Sequence, residues 1–333
     1  MTMSMTLKEF LEKNRISNET WEASTCKWDE LAAIGTDHES HRDQLLQSAE
    51  LFAKAIQNFD SVHSVRWRVK NTDHLLEKIV RKRCEGSEKY LALTLDNYHQ
   101  VITDLVGLRA LHLFKDDCFA IDGMLRTKWP LTETPIAYTR LGDTEGLEKH
   151  FAEKGFNVKR HPAGYRSIHY VCESQAFHRK VLTEVQVRTI FEEGWSEIDH
   201  RIRYPNFSEN ALVGYFLAIF NRMAGSADEM GGFVRGLTTH LDGLDNQLIQ
   251  ATREKEQTLV AMEKLLSELG DAKIAGSQSQ ETVVALRAEI DKMRQPTSVG
   301  LFLSESAGGG SASEGGPGNQ LLRWMTELTS NFV

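Results

Sequence analysis

Three short runs of this chain concentrate side chains able to handle a phosphorylated, hydrogen-bonding ligand. In TEVQVRT, Glu184, Gln186 and Arg188 recur at every second residue. An extended strand puts all three on one face and Val185 and Val187 on the other. In GYRSIHYV, Tyr165, Ser167 and His169 share a face by the same rule, and Gly164 before them gives the backbone freedom to present the ring. In RWRVKNTDHLLEK, Arg68 and Lys70 lie on one strand side and Lys78 follows eight residues on. A tyrosine beside an amide suits a nucleobase, with the ring stacking and Gln186 reading an edge, while the cations, with Arg109, suit a polyphosphate. Asp104 and Glu184 stand in apolar surroundings, where a bare carboxylate is costly. Together they could hold one Mg²⁺, which takes oxygen ligands and shares them with phosphate. The plainer alternative is two salt bridges, Asp104 with Arg109 and Glu184 with Arg188.

The whole chain narrows the setting. Its 333 residues carry a formal net charge of −8, with 41% hydrophobic and 26% charged residues. This is an ordinary globular composition, too acidic for a general nucleic-acid coat. Against that background, Val62 to Arg83 holds Arg66, Arg68, Lys70, Lys78, Arg81, Lys82 and Arg83 against Asp73 and Glu77. A solvated helix face would explain such a run by itself. No GxxxxGK[ST] or GxGxxG occurs, so phosphates would be held mainly by side chains. No stretch of eighteen apolar residues or secretory leader is visible, and Cys26, Cys84, Cys118 and Cys172 form no CxxC pair. These features predict a cytoplasmic protein with buried, reduced thiols and no zinc site.

The elements that must position these residues alternate between periods of 3.6 and 2. Leu45, Ala49, Phe52 and Ile56 predict an amphipathic helix, VHSVRWRVK a strand and DHLLEKIVRKR a helix. VITDLVGLRALHLF reads as a buried strand that opens with Asp104; CFAIDGMLRTKW is helical, TPIAYTRL a strand, and EGLEKHFAEKG a helix capped by Gly155. YRSIHYVCE and KVLTEVQVRT are strands, followed by the helix IFEEGWSEIDHRIRY, which Pro205 ends. The fold class is α/β (α+β), a mixed sheet flanked by helices. The expected organisation is a helical extension over 1–39, the mixed domain over 40–205, a helical and coiled-coil region over 206–296, a Gly/Ser-rich linker over 297–319 and an amphipathic tail helix over 320–333. The leucine steps at 237, 241, 244 and 248, at 259, 266 and 269 with Met262, and the stripe Val283, Leu286, Ile290, Met293 predict two helices joined by a turn. They would form an antiparallel hairpin or a homo-oligomeric coiled coil.

RVKNTDHLLEKI, ITDLVGLRAL, GYRSIHYV, TEVQVRT and WSEIDHRIRY resemble, in order and spacing, the synthetase domain of the RelA/SpoT alarmone family. The likeness runs from about Val62 to Tyr204. It implies a nucleotidyltransferase-like mixed sheet and transfer of the β,γ-pyrophosphate of ATP to the ribose 3′-hydroxyl of GDP or GTP. Carried over by position, it implies that Arg68, Lys70, Lys78 and Arg109 bind ATP. Asp104 and Glu184 would coordinate Mg²⁺, with Glu184 also the base. Tyr165 would stack on guanine, and His169, Gln186 and Arg188 would serve the acceptor nucleotide. The stretch between Trp129 and Gly155 departs from the family pattern, and Ala163 replaces an asparagine common in longer members. Two other outcomes stay open on these grounds: an acceptor such as a tRNA 3′ end or an adenosine nucleotide, and a non-enzymatic nucleotide-sensing or assembly module.

Overall fold

The computed structural model describes residues 5–140, 143, 145–161, 164–202, 210–271 and 277–294. Contacts divide the chain into two units, 1–239 and 240–333. Pro205, the linker over 297–319 and the tail helix over 320–333 lie outside the described residues.

The first unit opens with α1 (Leu7–Asn14), α2 (Asn18–Ala23), α3 (Trp28–Ser40) and α4 (Arg42–Gln57), then β1 (Ser64–Val69) and α5 (Thr72–Cys84). Two single-turn helices, α6 (Glu88–Leu91) and α7 (Tyr98–Val101), lead to β2 (Val106–His112) and α8 (Asp117–Lys128). Next come β3 (Ile136–Thr139), α9 (Glu145–Glu153), β4 (Asn157–Arg160), β5 (Ser167–Ser174), β6 (Val181–Thr189) and α10 (Ile190–Ile202). The long helix α11 (Ala211–Asp271) starts in this unit and ends in the second, which also holds α12 (Ser277–Arg294).

Six strands form one mixed sheet in the order β1-β2-β6-β5-β3-β4. β2 pairs with β6 and β3 with β4 in parallel; the other three pairings are antiparallel. The register sorts side chains by period 2. One face carries Val106, Leu108, Ala110, Val185, Val187, Ile168, Tyr170 and Cys172, all buried. Against it pack Ala49, Phe52 and Ile56 of α4 and Cys118, Ile121 and Leu125 of α8. The Phe52 and Trp129 rings stack there at 4.3 Å. The predicted apolar steps along α4 are therefore the stripe that covers the sheet. The opposite face carries Arg66, Arg68, Gly107, Arg109, Glu184, Gln186, Arg188 and His169, brought side by side by the pairings Arg68↔Gly107, Gly107↔Glu184, Arg109↔Gln186 and His169↔Gln186.

A second core joins α1 and α3 to α5 through Phe10, Leu31, Ile34, Leu75, Leu76 and Ile79, together with Tyr90, Tyr98 and Ile102. The first 39 residues thus contribute to the packing that fixes α5. On the other side, the first part of α11 is pinned to α10, to the end of β6 and to the turn before β5. Trp195 Nε1 donates to the Leu217 carbonyl (3.0 Å), Thr189 to Asp228 (3.0 Å), and Asn221 Nδ2 to the Gly164 carbonyl (3.0 Å). Gly164 has φ +72°, a left-handed conformation that glycine adopts without strain, and a Cβ there would meet Asn221 Oδ1 at 3.3 Å. The freedom expected of this residue is used to turn the chain into Tyr165.

In the second unit, Leu259 and Leu266 of α11 pack with Val283 and Ile290 of α12, and Arg294 pairs with Glu263 at 2.8 Å. This is the antiparallel arrangement of the two forms expected. Leu241, Leu244 and Leu248 remain 44–55% exposed.

Three expectations need correction, and one strand was not foreseen. Asp104 does not open a strand; it sits in the turn between α7 and β2, and the strand begins at Val106. Tyr165 and Arg166 precede β5, which starts at Ser167. The strand β4 was not expected, because NVKR is too short and polar to show period 2 above its surroundings. Of the four thiols, only Cys118 and Cys172 are buried, and Cys84 is exposed.

Candidate functional site

At one end of the polar face a carboxylate is clamped between two lysines. Lys70, one residue beyond β1, continues the ladder by donating its N–H to the Leu105 carbonyl (2.8 Å). That places its Nζ 2.7 Å from Asp104 Oδ2. Lys78 comes from the first turns of α5, whose start is fixed by the Asn71 side chain accepting the Asp73 N–H, and its Nζ lies 2.8 Å from Asp104 Oδ1. Burial alone would raise the Asp104 pKa, but the two lysine charges hold it below the usual carboxylate range. Burial also lowers Lys70, which Asp104 only partly offsets, whereas Asp104 and Tyr90 hold Lys78 above its ordinary value. Arg68 is exposed on the edge strand, and its side chain crosses Gly107, with Cγ and Nε 3.9 Å from where a Cβ would stand. Gly107 lies opposite Glu184 in the register, so the middle of the face stays low between the lysine clamp and Glu184.

Glu184 starts a hydrogen-bonded chain. Its Oε1 lies 3.3 Å from His169 Nδ1, and His169 Nε2 lies 3.1 Å from the Tyr165 hydroxyl. A proton on Nδ1 facing the carboxylate leaves Nε2 free to accept from the phenol. Burial would raise the Glu184 pKa; the hydrogen bond and charge of His169 outweigh it, and the carboxyl titrates below its ordinary value. Glu184 is therefore ionised at neutral pH and 26% exposed. It is able to receive a proton from a bound hydroxyl. Asp104 and Lys78 act on its charge in opposite senses.

Tyr165 forms a half-buried shelf beyond His169. The Arg188 guanidinium lies 5.2 Å from its ring centroid, and the rings of His161 and Tyr138 approach at 5.3 and 6.2 Å. Burial raises the phenol's pKa, so the hydroxyl stays protonated. Gln186 Oε1 is 3.4 Å from that hydroxyl and accepts from Arg188 Nη2 at 2.9 Å. Arg188 itself is only 3% exposed. It cannot meet a ligand directly as expected; it supports the tyrosine and the amide from beneath.

Sequence reasoning missed the acids of α10. Glu193 Oε1 accepts from Arg66 Nη1 and Arg109 Nη1, both at 2.9 Å, and its Oε2 is 2.9 Å from Arg188 Nε. Glu197, one turn on, pairs with Arg109 and lies 3.6 Å from Arg66. The alternative pairings, Asp104 with Arg109 and Glu184 with Arg188, are not those formed: Asp104 takes lysines, and both arginines take Glu193. A readable signal existed in the i, i+4 acids Glu193 and Glu197, on a helix that begins as the arginine-bearing strand ends. The rings of Tyr138 and His161 gave no such signal, because strand-edge aromatics are ordinary.

Asp104 and Glu184 are the carboxylates that would hold a divalent cation shared with substrate. Asp104 Oδ1 is buried and makes no hydrogen bond beyond its ion pair with Lys78, and Glu184 has open lone pairs beside His169. No cluster of three or more His, Cys, Asp or Glu able to hold a metal occurs among the described residues. A closed protein cage is thus not offered, but two carboxylates plus phosphate oxygens and water suffice for Mg²⁺. No described helix is long and apolar enough to cross a membrane.

The chain is similar to known proteins over part of its length. Residues 67–209 match the model described as the region found in RelA / SpoT proteins. The GTP pyrophosphokinase YwaC of Bacillus subtilis (strain 168) is 24% identical over 153 residues, 45% of this chain and 61% of that protein. The chain thus spans about three-fifths of the curated relative it matches. Solved structures include a GTP pyrophosphokinase family protein from Streptococcus pneumoniae (21% identity, TM-score 0.46, 62% of this chain and 96% of that one). Another is the small alarmone synthetase 1 from Bacillus subtilis (22% identity, TM-score 0.46, 61% and 97%). The matched stretch, Trp67 to Glu209, supplies Arg68, Lys70, Lys78, Asp104, Tyr165, His169 and Glu184, and over that part the chain is similar to the region found in RelA / SpoT proteins.

Proposed function

We propose that this chain is an Mg²⁺-dependent GTP diphosphokinase, moving the β,γ-pyrophosphate of ATP to the ribose 3′-hydroxyl of GDP or GTP. The catalytic part would be residues 40–205, working on the soluble nucleotides of the cytoplasm. The observation that carries the reading is the order of groups along one sheet face. A cationic end (Arg68, Lys70, Lys78) and an aromatic shelf (Tyr165 with Gln186) flank an ionised Glu184. In that order a polyphosphate donor and a nucleoside acceptor meet at the carboxylate, and catalysis rests on positioning and charge compensation.

Glu184 would take the proton from the 3′-hydroxyl as its oxygen bonds to the β-phosphorus of ATP. The bond from that phosphorus to the oxygen bridging to the α-phosphate breaks, and AMP leaves. The His169 contact holds Glu184 in its ionised form and aims it. Lys70, Lys78 and Arg68 offset the charge of the transferred group, and Arg109 would join them on release from the α10 acids. When bound, magnesium held by Asp104 and Glu184 supplies further charge neutralisation on the phosphates.

The test is direct. Labelled ATP incubated with GDP, GTP, ATP and deacylated tRNA in parallel should give a 3′-pyrophosphorylated guanosine nucleotide and AMP. Label appearing only on the adenosine nucleotide or on tRNA would move the acceptor assignment. Folded protein that transfers to none of the four would reject the reading.

A further inference from the structure

The arginine junction under the site connects its two ends through one side chain. Glu193 is 6% exposed and accepts charge from three strands at once: Arg66 of β1, Arg109 of β2 and Arg188 of β6, each at 2.9 Å. The three partners differ in what else they touch. Arg66 is exposed at the sheet edge, and Arg109, one quarter exposed, stands between Arg66 and Gln186 in the register, with Gly107 and Arg68 two residues along toward the cationic end. Arg188 is sealed beneath the Tyr165 ring and binds the Gln186 amide oxygen. One negative charge is thus divided between cations that face the donor and a cation that underlies the acceptor shelf. Glu197 adds a second charge on the donor side, through Arg109 and Arg66.

From this geometry we infer that Glu193 is a positioning residue that couples the two nucleotide subsites, so that filling the phosphate end tightens the base end. The inference rests on the functional reading above. Phosphates that draw Arg66 and Arg109 away leave the Glu193 carboxylate to Arg188 alone. The guanidinium is then held more firmly under Tyr165 and pulled from Gln186 Oε1, and the Gln186 amide is freed for the edge of a base. The coupling is reciprocal: a base seated on Tyr165 that fixes Arg188 against Glu193 releases the outer arginines for phosphate. Such a device makes the enzyme prefer the ternary complex over either binary one. This matters for a transfer between two nucleotides, where a donor bound alone exposes its phosphates to water.

Equilibrium binding tests it without turnover. The probes are magnesium with an ATP analogue carrying a methylene in place of the α,β-bridging oxygen, and GDP. The Kd of GDP is measured with and without saturating analogue, and the ratio is the coupling factor. Wild-type protein is expected to show a factor of about five or more, the lower range for coupled sites. Glu193→Gln should bring it to about one. Because Glu193→Gln leaves Arg188 buried without its charge partner, Arg66→Gln serves as a second variant. It cuts the donor side of the junction at an exposed edge strand, and should at least halve the factor. Coupling near one in the wild type, or a factor unchanged in both variants, would overturn the inference while leaving the function intact. Failure of either probe to bind the wild type at all would instead remove the functional reading, and this inference with it.

Discussion

Glu192 and Glu193 are adjacent on α10, and both are buried, yet they enter opposite kinds of environment. Glu193 meets three guanidiniums on the open face of the sheet. Glu192, a helical step round, turns toward a closed cluster of Arg140, Arg166, Asp228 and Lys115, where neither of its oxygens has a hydrogen-bond partner. Burial raises its pKa to about 7, with Arg166 pulling the other way and Asp228 adding to the rise. In the same cluster Asp143 pairs with Arg166, and Arg140 Nη1 donates to the Asn221 carbonyl of α11 (3.0 Å). The charges over the sheet are partly open to solvent and arranged where substrates would meet. Those beside α11 are mostly buried and arranged to hold a helix. Two identical side chains thus serve a site and a seam, and only the helical turn between them decides which.

The widest separation between the two regions should come from Glu184→Gln. It keeps shape and size but cannot take a proton, so transfer should fall about a thousandfold or more, in the range seen when a general base is lost. The thermal midpoint should stay close to that of the wild type. Activity retained within tenfold would break the assignment of Glu184 as base. A collapse of the midpoint would instead make Glu184 a structural group like those of the seam.

The sealed cluster should answer in the opposite way. Asp143 has 1% of its side chain exposed, accepts from Arg166 and takes the Arg140 backbone N–H at 2.9 Å. Asp143→Ala leaves a buried guanidinium without its partner, a change that costs about 3–5 kcal/mol. Denaturant unfolding should show that loss, while the ATP analogue binds the folded variant within about twofold of wild type. Weakened nucleotide binding would mean that seam and site are not separate.

Acid titration sharpens the same contrast. Glu192 binds its proton more tightly folded than unfolded, so its contribution to stability is complete below about pH 4.5 and is lost as pH rises through about 7. Between pH 5 and 7 the wild type should lose about 2–3 kcal/mol relative to Glu192→Gln, at about 1.4 kcal/mol per pH unit. Asp228, also raised by burial, acts in the same direction, and because its charge acts on Glu192 the difference reports the pair. A flat difference between pH 5 and 7 would place Glu192 in contact with water.

Much of this is legible in the sequence. The period-2 alternation of Glu184, Gln186 and Arg188 placed them on one face, and it did so because β6 is central and its other face must be apolar. The apolar steps at Leu45, Ala49, Phe52 and Ile56 placed α4 on the sheet for the same reason. Less was legible where the backbone is irregular. Asp104 looked like the first residue of a strand because hydrophobic neighbours flank it, and only the turn after α7 shows that its carboxylate is free to meet Lys70 and Lys78. Pairings were the least readable. Arg109 and Arg188 had acids near in sequence, but strand register and the turn of α10 gave them Glu193. Period tells which side a residue faces; it does not tell what crosses that side from another element.

The smallest effect expected, and the one that divides the site most finely, comes from Tyr165. If the ring is a shelf for a base, Tyr165→Ala should raise the acceptor KM about tenfold, since stacking on an aromatic side chain contributes about 1–3 kcal/mol per base. The KM for ATP should move by less than twofold. Tyr165→Phe keeps the ring and removes only the hydroxyl that bonds His169 at 3.1 Å. It should leave the acceptor KM nearly unchanged and lower kcat modestly, because His169 would then be aimed at Glu184 by one contact fewer. An equal rise in both KM values with Tyr165→Ala would show that the ring props up the arginine junction instead of binding a base. The sheet face would then be one pocket, not two subsites joined at Glu184.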